Sequence, residues 1–293
     1  MTILLIRFIS IDTNYLKGIR TMIKKELTLR NNIKILGCGD KTMVFAHGFG
    51  CDQNMWRYLV PAFIDSYKIV LFDHVGSGNS DLNDYDYDKY NTLQGYADDI
   101  IEICQELALS NITFVGHSVS TMIGVLASIG APKIFDNIIM VGPSASYINS
   151  DDYIGGFIKD DIDELLSSME SNYRGWSSAI APAMMANNDR PELSEELSNR
   201  FCRNDPKIAA HFAKVSFLSD HRHYLKDVHT NTLVIQCSED VIAPVMVGEF
   251  VAKNIKSSKL VIMNATGHCP HLSAPEETID IMKKYLGEIE VPA

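Results

Sequence analysis

The stretch Ile112-Thr-Phe-Val-Gly-His-Ser118-Val-Ser120 limits the fold of this chain more than any other segment. A β-branched and aromatic run breaks at Gly116, a serine follows two residues later, and helical periodicity begins after it. That pattern predicts a buried strand turning sharply into a helix, with the serine Oγ left exposed at the top of a sheet. The turn presses backbone against backbone, so small residues must flank the serine. Gly116 meets that need, while Ser120 stands where a second glycine is usual.

A serine hydroxyl is a weak nucleophile at neutral pH, and needs a base that a third group holds in one tautomer. The sequence downstream supplies both partners. Thr232 to Gln236 has strand composition and runs into Cys-Ser-Glu-Asp-Val-Ile-Ala-Pro, placing Asp240 in the loop beyond a strand end. Lys259 to Met263 is a second such strand, and the Asn-Ala-Thr-Gly-His-Cys-Pro after it places His268 in a turn. The carboxyl ends of parallel strands are where open α/β sheets gather ligands and chemistry. The order Ser118, Asp240, His268 is also the chain order of α/β-hydrolase triads. Glu239 competes with Asp240, but the Pro244 turn follows at a spacing that favours the aspartate.

A tetrahedral intermediate carries a negative oxygen that preorganised N–H donors must meet. The amide after the nucleophile, Val119, is one expected donor. Met43 to Ala46 reads as a strand opening into His47-Gly48-Phe49-Gly50, whose glycines let amides turn inward, so the Phe49 N–H is the expected second donor.

Other constellations are read as structural. His47 and His117 are loop-packing residues, and Asp73, set among glycines, braces its loop. His221, His223 and His229 lack the Cys or carboxylate spacing that would complete a metal site. Gly76-Ser-Gly78 matches neither phosphate-loop pattern, so no cofactor is expected.

A chain of 293 residues with 46% hydrophobic content can bury a large core. Its net charge of -11 disfavours nucleic acid and anionic lipid surfaces as partners. Six cysteines without paired spacing indicate reduced thiols and a cytoplasmic location. Met1 to Ile9 is apolar but too short to span a bilayer, and lacks a basic lead and a cleavage site. Residues 1–21 are therefore read as a poorly ordered extension, with Met22 a candidate start.

Glu26 to Arg30 and Lys34 to Leu36 flank Asn31-Asn32, a hairpin signal, and strands are expected near 42–46, 68–72, 112–115 and 137–141. Helical periodicity covers 92–108. From about Ser146 to Tyr224 no strand pattern appears and apolar residues recur at helical spacing. The expected fold is an α/β, mostly parallel eight-stranded sheet with helices on both faces, a core of 22–145 and 225–293, and a helical lid over 146–224 between the sixth and seventh strands. Phe157, Trp176, Met184, Met185, Phe212, Phe217 and Leu218 give the lid more apolar surface than packing alone requires, and Phe157, Trp176, Met184 and Phe217 are taken as pocket candidates. With mainly acidic lid charges, a small, mostly apolar ester or lactone is the expected substrate. A carbon–carbon bond hydrolase or a general carboxylesterase without a signalling role is the alternative; an Asp nucleophile of the dehalogenase kind is excluded by Ser118.

Gly-His-Ser-Val-Ser-Thr-Met-Ile-Gly (116–124), Ala-His-Gly-Phe-Gly-Cys-Asp-Gln-Asn-Met-Trp (46–56), Phe-Asp-His-Val-Gly-Ser-Gly-Asn-Ser-Asp (72–81), Ser-Glu-Asp-Val-Ile-Ala-Pro (238–244) and Met-Glu-Ser-Asn-Tyr-Arg-Gly-Trp (169–176) closely resemble the RsbQ family. These are bacterial stress-signalling α/β hydrolases related to the plant strigolactone and karrikin receptors. The resemblance covers roughly residues 24–290, and Ser120 in place of glycine is normal for that family. It implies the Ser118, Asp240, His268 triad, an oxyanion hole at Phe49 and Val119, and a four-helix lid over a hydrophobic pocket. It also implies a partner phosphatase carrying a sensor domain, in a stress response that regulates a sigma factor. Nothing in the family resembles residues 1–21.

Overall fold

The computed structural model describes residues 26–290. The expectations about residues 1–21 and Met22 lie outside these residues.

Strands β1 (Lys34–Leu36), β2 (Lys41–Ala46), β3 (Tyr67–Leu71), β4 (Ile112–His117), β5 (Phe135–Val141), β6 (Asn231–Glu239) and β7 (Ser258–Thr266) form one sheet in the order β1-β3-β2-β4-β5-β6-β7. Only β1 runs antiparallel, against β3. Parallel strands need covered faces, and the sequence supplies apolar residues to both. Val44, Ala46, Phe114, Ile138, Met140 and Val234 point into one core, while Met43, Phe45, Val115, Ile139, Val141, Leu233 and Ile235 point into the other. The first core is closed by helices α1 (Leu93–Glu106) and α2 (Val119–Gly130), the second by the segment Trp56 to Phe63 and by the last helix. Each fully buried large apolar side chain contributes roughly 1.5–3 kcal/mol.

The sheet therefore has seven strands among the described residues, not eight. The expected hairpin is the reason: residues 26–30 are helical. Asn32 takes a left-handed conformation (φ 46°), the Asn32 N–H donates to Leu29 O at 3.3 Å, and the Ile33 N–H donates to Thr28 O at 3.0 Å. This is a Schellman cap, which asks for the same left-handed asparagine that a tight hairpin does.

Between β5 and β6 the chain leaves the sheet and forms α3 (Lys159–Ser171), α4 (Tyr173–Met185), α5 (Pro191–Phe201) and α6 (Pro206–Phe217). Local signals set their ends. The Asn172 side chain accepts from the Gly175 N–H at the start of α4, Pro191 opens α5, and Asp205 accepts from the Lys207 and Ile208 N–H groups ahead of α6. Helices α7 (Val245–Asn254), α8 (Pro270–Ser273) and α9 (Pro275–Glu290) follow β6 and β7. No helix among the described residues is long and apolar enough to cross a membrane.

Candidate active site

The loops after β2, β4, β5, β6 and β7 meet at one edge of the sheet, beneath the helices inserted after β5. Ser118 stands between β4 and α2 with φ 55° and ψ −123°, backbone that an L-residue adopts only under constraint. The turn closes tightly: a Cβ on Gly116 would sit 2.7 Å from Ser120 O. Ser118 holds the N-cap position of α2 but makes no side-chain cap, so its hydroxyl is free for another partner.

That partner is His268. Its Nε2 accepts from Ser118 Oγ at 2.7 Å, and its Nδ1–H donates to Asp240 Oδ2 at 2.7 Å. All three residues are buried. The three groups thus form one continuous hydrogen-bonded chain, although Asp240 lies 122 positions after Ser118 and His268 28 positions after Asp240. Glu239 is the exposed last residue of β6 and takes no part.

Asp240 is held at its other oxygen, where Oδ1 accepts from the Ile242 N–H (2.8 Å) and the Ala243 N–H (3.1 Å) in the turn before Pro244. Burial alone would raise its pKa; the charge and hydrogen bond of His268 and these two amides outweigh it and hold the carboxyl below its usual range. The backbone of His268 is fixed from both sides. Its N–H donates to Met184 O of α4 at 2.6 Å, and its carbonyl accepts from His117 Nε2–H at 2.7 Å.

Phe49 and Val119, the two expected amide donors, both line the cavity in front of Ser118. Val119 is the first residue of α2, where an amide has no intrahelical acceptor and the helix dipole favours negative charge. The Phe49 loop is held from behind by Ser120, whose Oγ–H donates to His47 O at 2.5 Å and which accepts from His74 Nε2–H at 2.7 Å. The residue replacing the second glycine is therefore a strut for the loop. His47 donates through Nδ1 to Gly48 O and accepts at Nε2 from the His74 N–H (3.1 Å), a packing role like that of His117. Asp73, fully buried, accepts from the Gln53 and Asn79 N–H groups and from the Asn32 side chain.

The cavity is small, about 20 Å³, close to the volume one water needs. Trp176, Met184 and Phe217 line it, together with Tyr147, Leu165, Ile180 and Ile242. Phe157 does not. It is half-buried and its backbone is paired outside the cavity, the N–H donating to Tyr147 O at 3.1 Å, because the chain is still an extended edge there and has not yet entered α3. Met185 and Phe212 are buried in packing, with Phe212 stacked on Tyr96 at 4.5 Å between ring centroids, and Leu218 lines a separate surface cleft. Sequence reasoning missed Tyr147 and Ile242. Both lie just beyond strand ends, in Gly-Pro-Ser-Ala-Ser-Tyr after β5 and Asp-Val-Ile after β6, and that position was the available signal.

A serine, imidazole and carboxylate in series, with amides beside the serine, can carry out acyl transfer. No cluster of three or more His, Cys, Asp or Glu among the described residues could hold a metal.

The sequence model of the alpha/beta hydrolase family matches residues 43–281, which include the whole constellation. The chain belongs to the alpha/beta hydrolase family. Among curated proteins it is similar to the Karrikin insensitive 2 receptor CA of Petunia hybrida, at 40% identity over 87% of this chain and 95% of that protein. It is also similar to the Strigolactone esterase D14 of Arabidopsis thaliana, at 36% identity over 87% and 96%. Among solved structures, a hydrolase from Oleispira antarctica superimposes with a TM-score of 0.88 at 41% identity, covering 90% of this chain and 97% of that one. The chain is a hydrolase of this family, and its similar proteins include plant proteins named as a karrikin insensitive 2 receptor and as a strigolactone esterase.

Proposed function

We propose that this hydrolase cleaves a small, mostly apolar ester or lactone through an acyl-enzyme on Ser118. The observation that carries the reading is the unbroken chain from Asp240 through His268 to Ser118, with 2.7 Å at each link, opening on an apolar cavity. Ser118 Oγ attacks the carbonyl carbon as His268 Nε2 takes its proton. The Phe49 and Val119 N–H groups meet the oxyanion, each such donor lowering the barrier by about 3 kcal/mol. His268 then returns the proton to the departing oxygen. Water repeats the sequence on the acyl-enzyme and releases the acid. Asp240 keeps the imidazole in the required tautomer and stabilises its charged form.

Beyond Ser118 and His268 the lining is apolar apart from the Tyr147 and Ser216 hydroxyls, the Cys51 and Cys269 thiols, the Trp176 indole and the imidazole of His117, which burial keeps neutral, so a charged acyl group would be desolvated without a counter-ion. The Arabidopsis thaliana relative is named an esterase, which supports ester cleavage. A fluorophosphonate probe should label the wild type and leave Ser118→Ala unlabelled; equal labelling of both rejects the assignment.

A signalling use of the same turnover is supported by the likeness to RsbQ and by relatives named as receptors. In that use the partner is a sensor-domain phosphatase, and the scattered thiols suit a reducing cytoplasm. Capture from native cells should recover such a phosphatase with the wild-type protein, and recovery of none contradicts this use.

A further inference from the structure

We propose that Tyr147 is a further catalytic residue: its phenol donates a hydrogen bond to the leaving-group oxygen as the tetrahedral intermediate collapses. The inference rests on the acyl-enzyme reading and adds a group to it.

Tyr147 sits six residues past the end of β5, where the chain turns toward the helices over the site. It is 4% exposed and lines the cavity. Its ring packs on Phe217 at 5.0 Å between centroids, and its backbone carbonyl is held by the Phe157 N–H. Among the described residues its hydroxyl has one hydrogen-bonding neighbour, Ser118 Oγ at 3.4 Å.

Packing does not account for that hydroxyl. Phenylalanine would make the same ring contact, and a buried hydroxyl without a good partner costs free energy. At 3.4 Å the contact with Ser118 is too long to repay that cost in the resting site. An oxygen bonded to the carbon that Ser118 attacks lies one bond further into the cavity, within the phenol's reach.

Strand order identifies which oxygen that is. The oxyanion donors flank Ser118 from the β2 side, through the Phe49 loop, and from α2 itself. Tyr147 comes from β5, on the opposite side of β4, in the direction of β6 and β7, which carry Asp240 and His268. It therefore shares the His268 side of the nucleophile, where the leaving group departs. Burial pushes the phenol up to about 12, so at neutral pH it is a donor and keeps its proton. The proton that leaves with the alcohol comes from the His268 imidazolium; the bond from carbon to the leaving oxygen breaks, and Tyr147 contributes only a hydrogen bond to the charge developing there.

Such a bond matters most for poor leaving groups, whose oxygen carries more charge as the bond breaks. The test is kcat/KM, which reads acylation, for one acyl group esterified to p-nitrophenol, phenol, trifluoroethanol and ethanol, with wild type and Tyr147→Phe. The ratio of wild type to variant should stay within about twofold for the p-nitrophenyl ester and reach tenfold to a hundredfold for the ethyl ester. A constant ratio along the series, whether unity or not, overturns the proposal, because a purely structural role lowers all four rates alike. A smaller fraction of folded variant cancels, since only the change in ratio is read. Wild type inert toward all four esters and unlabelled by fluorophosphonate would remove the acyl-enzyme reading and this proposal together. Wild-type turnover that Ser118→Ala abolishes, with a constant ratio for Tyr147→Phe, would remove this proposal alone.

Discussion

Ser120 shows how a single departure from a motif can be structural. With glycine there, His47 O would lose its hydroxyl donor and His74 Nε2 its acceptor, two buried contacts of 2.5 and 2.7 Å. The loop they brace carries the Phe49 amide, the proposed second donor to an oxyanion that exists only in the transition state. Ser120→Gly should therefore lower kcat by about tenfold, part of the full loss of an oxyanion donor, with KM little changed. Steady-state kinetics on an aryl ester checks this, and an unchanged kcat would show that the loop holds itself. Ser118 is a second case of local cost. Its left-handed φ carries a strain of about 1–3 kcal/mol, which the strand and helix on either side impose.

At the scale of elements, what the sequence reveals depends on how local its cause is. The strand before Gly116, the strands before Asp240 and His268, and the order of the three residues were legible because each is written in a few consecutive residues. The helix at 26–30 was not, because Asn31-Asn32 serves a helix cap as well as a hairpin, and only the Ile33 N–H reaching Thr28 O separates the two. Pocket membership was legible in part. Trp176, Met184 and Phe217 face the cavity, but Phe212 turns to Tyr96 and Leu218 to another cleft, and periodicity cannot tell one buried face of a lid helix from another. Contacts that fix the lid are long-range and left no trace in sequence. Arg200 of α5 meets both oxygens of Asp52 at 2.8 Å, Glu196 meets Arg57 at 2.7 Å, and Asn204 donates to Gly50 O at 2.8 Å, so α5 is clasped to the loop that carries Phe49.

Across the whole molecule, buried histidines set the response to acid. Burial holds His74 and His271 well below the usual imidazole range, His117 at about 3 and His221 at about 4. His271 packs between Trp56 and His117, and neither of its ring nitrogens has a hydrogen-bond partner among the described residues. Each folded pKa lies below the unfolded value near 6.5, so the unfolded chain binds the extra proton. Their stability is present above pH 6.5 and is lost as pH falls below it, at up to about 1.4 kcal/mol per pH unit for each group. Asp240 and Asp52, whose pKa values are lowered, add their loss only below about pH 4. Urea denaturation between pH 7.5 and 5 should therefore show a steepening fall in stability, and a flat profile would show that these rings are protonated in the fold. Catalysis depends on these distant segments assembling so that one serine is acylated. Intact-protein and peptide mass spectrometry on enzyme quenched milliseconds after mixing with a short-chain p-nitrophenyl ester measures it directly. One added acyl group is expected, on the peptide containing Ser118, which decays with turnover and is absent in Ser118→Ala. Ester hydrolysis with no acyl group on that peptide, or with the group on another residue, would contradict it.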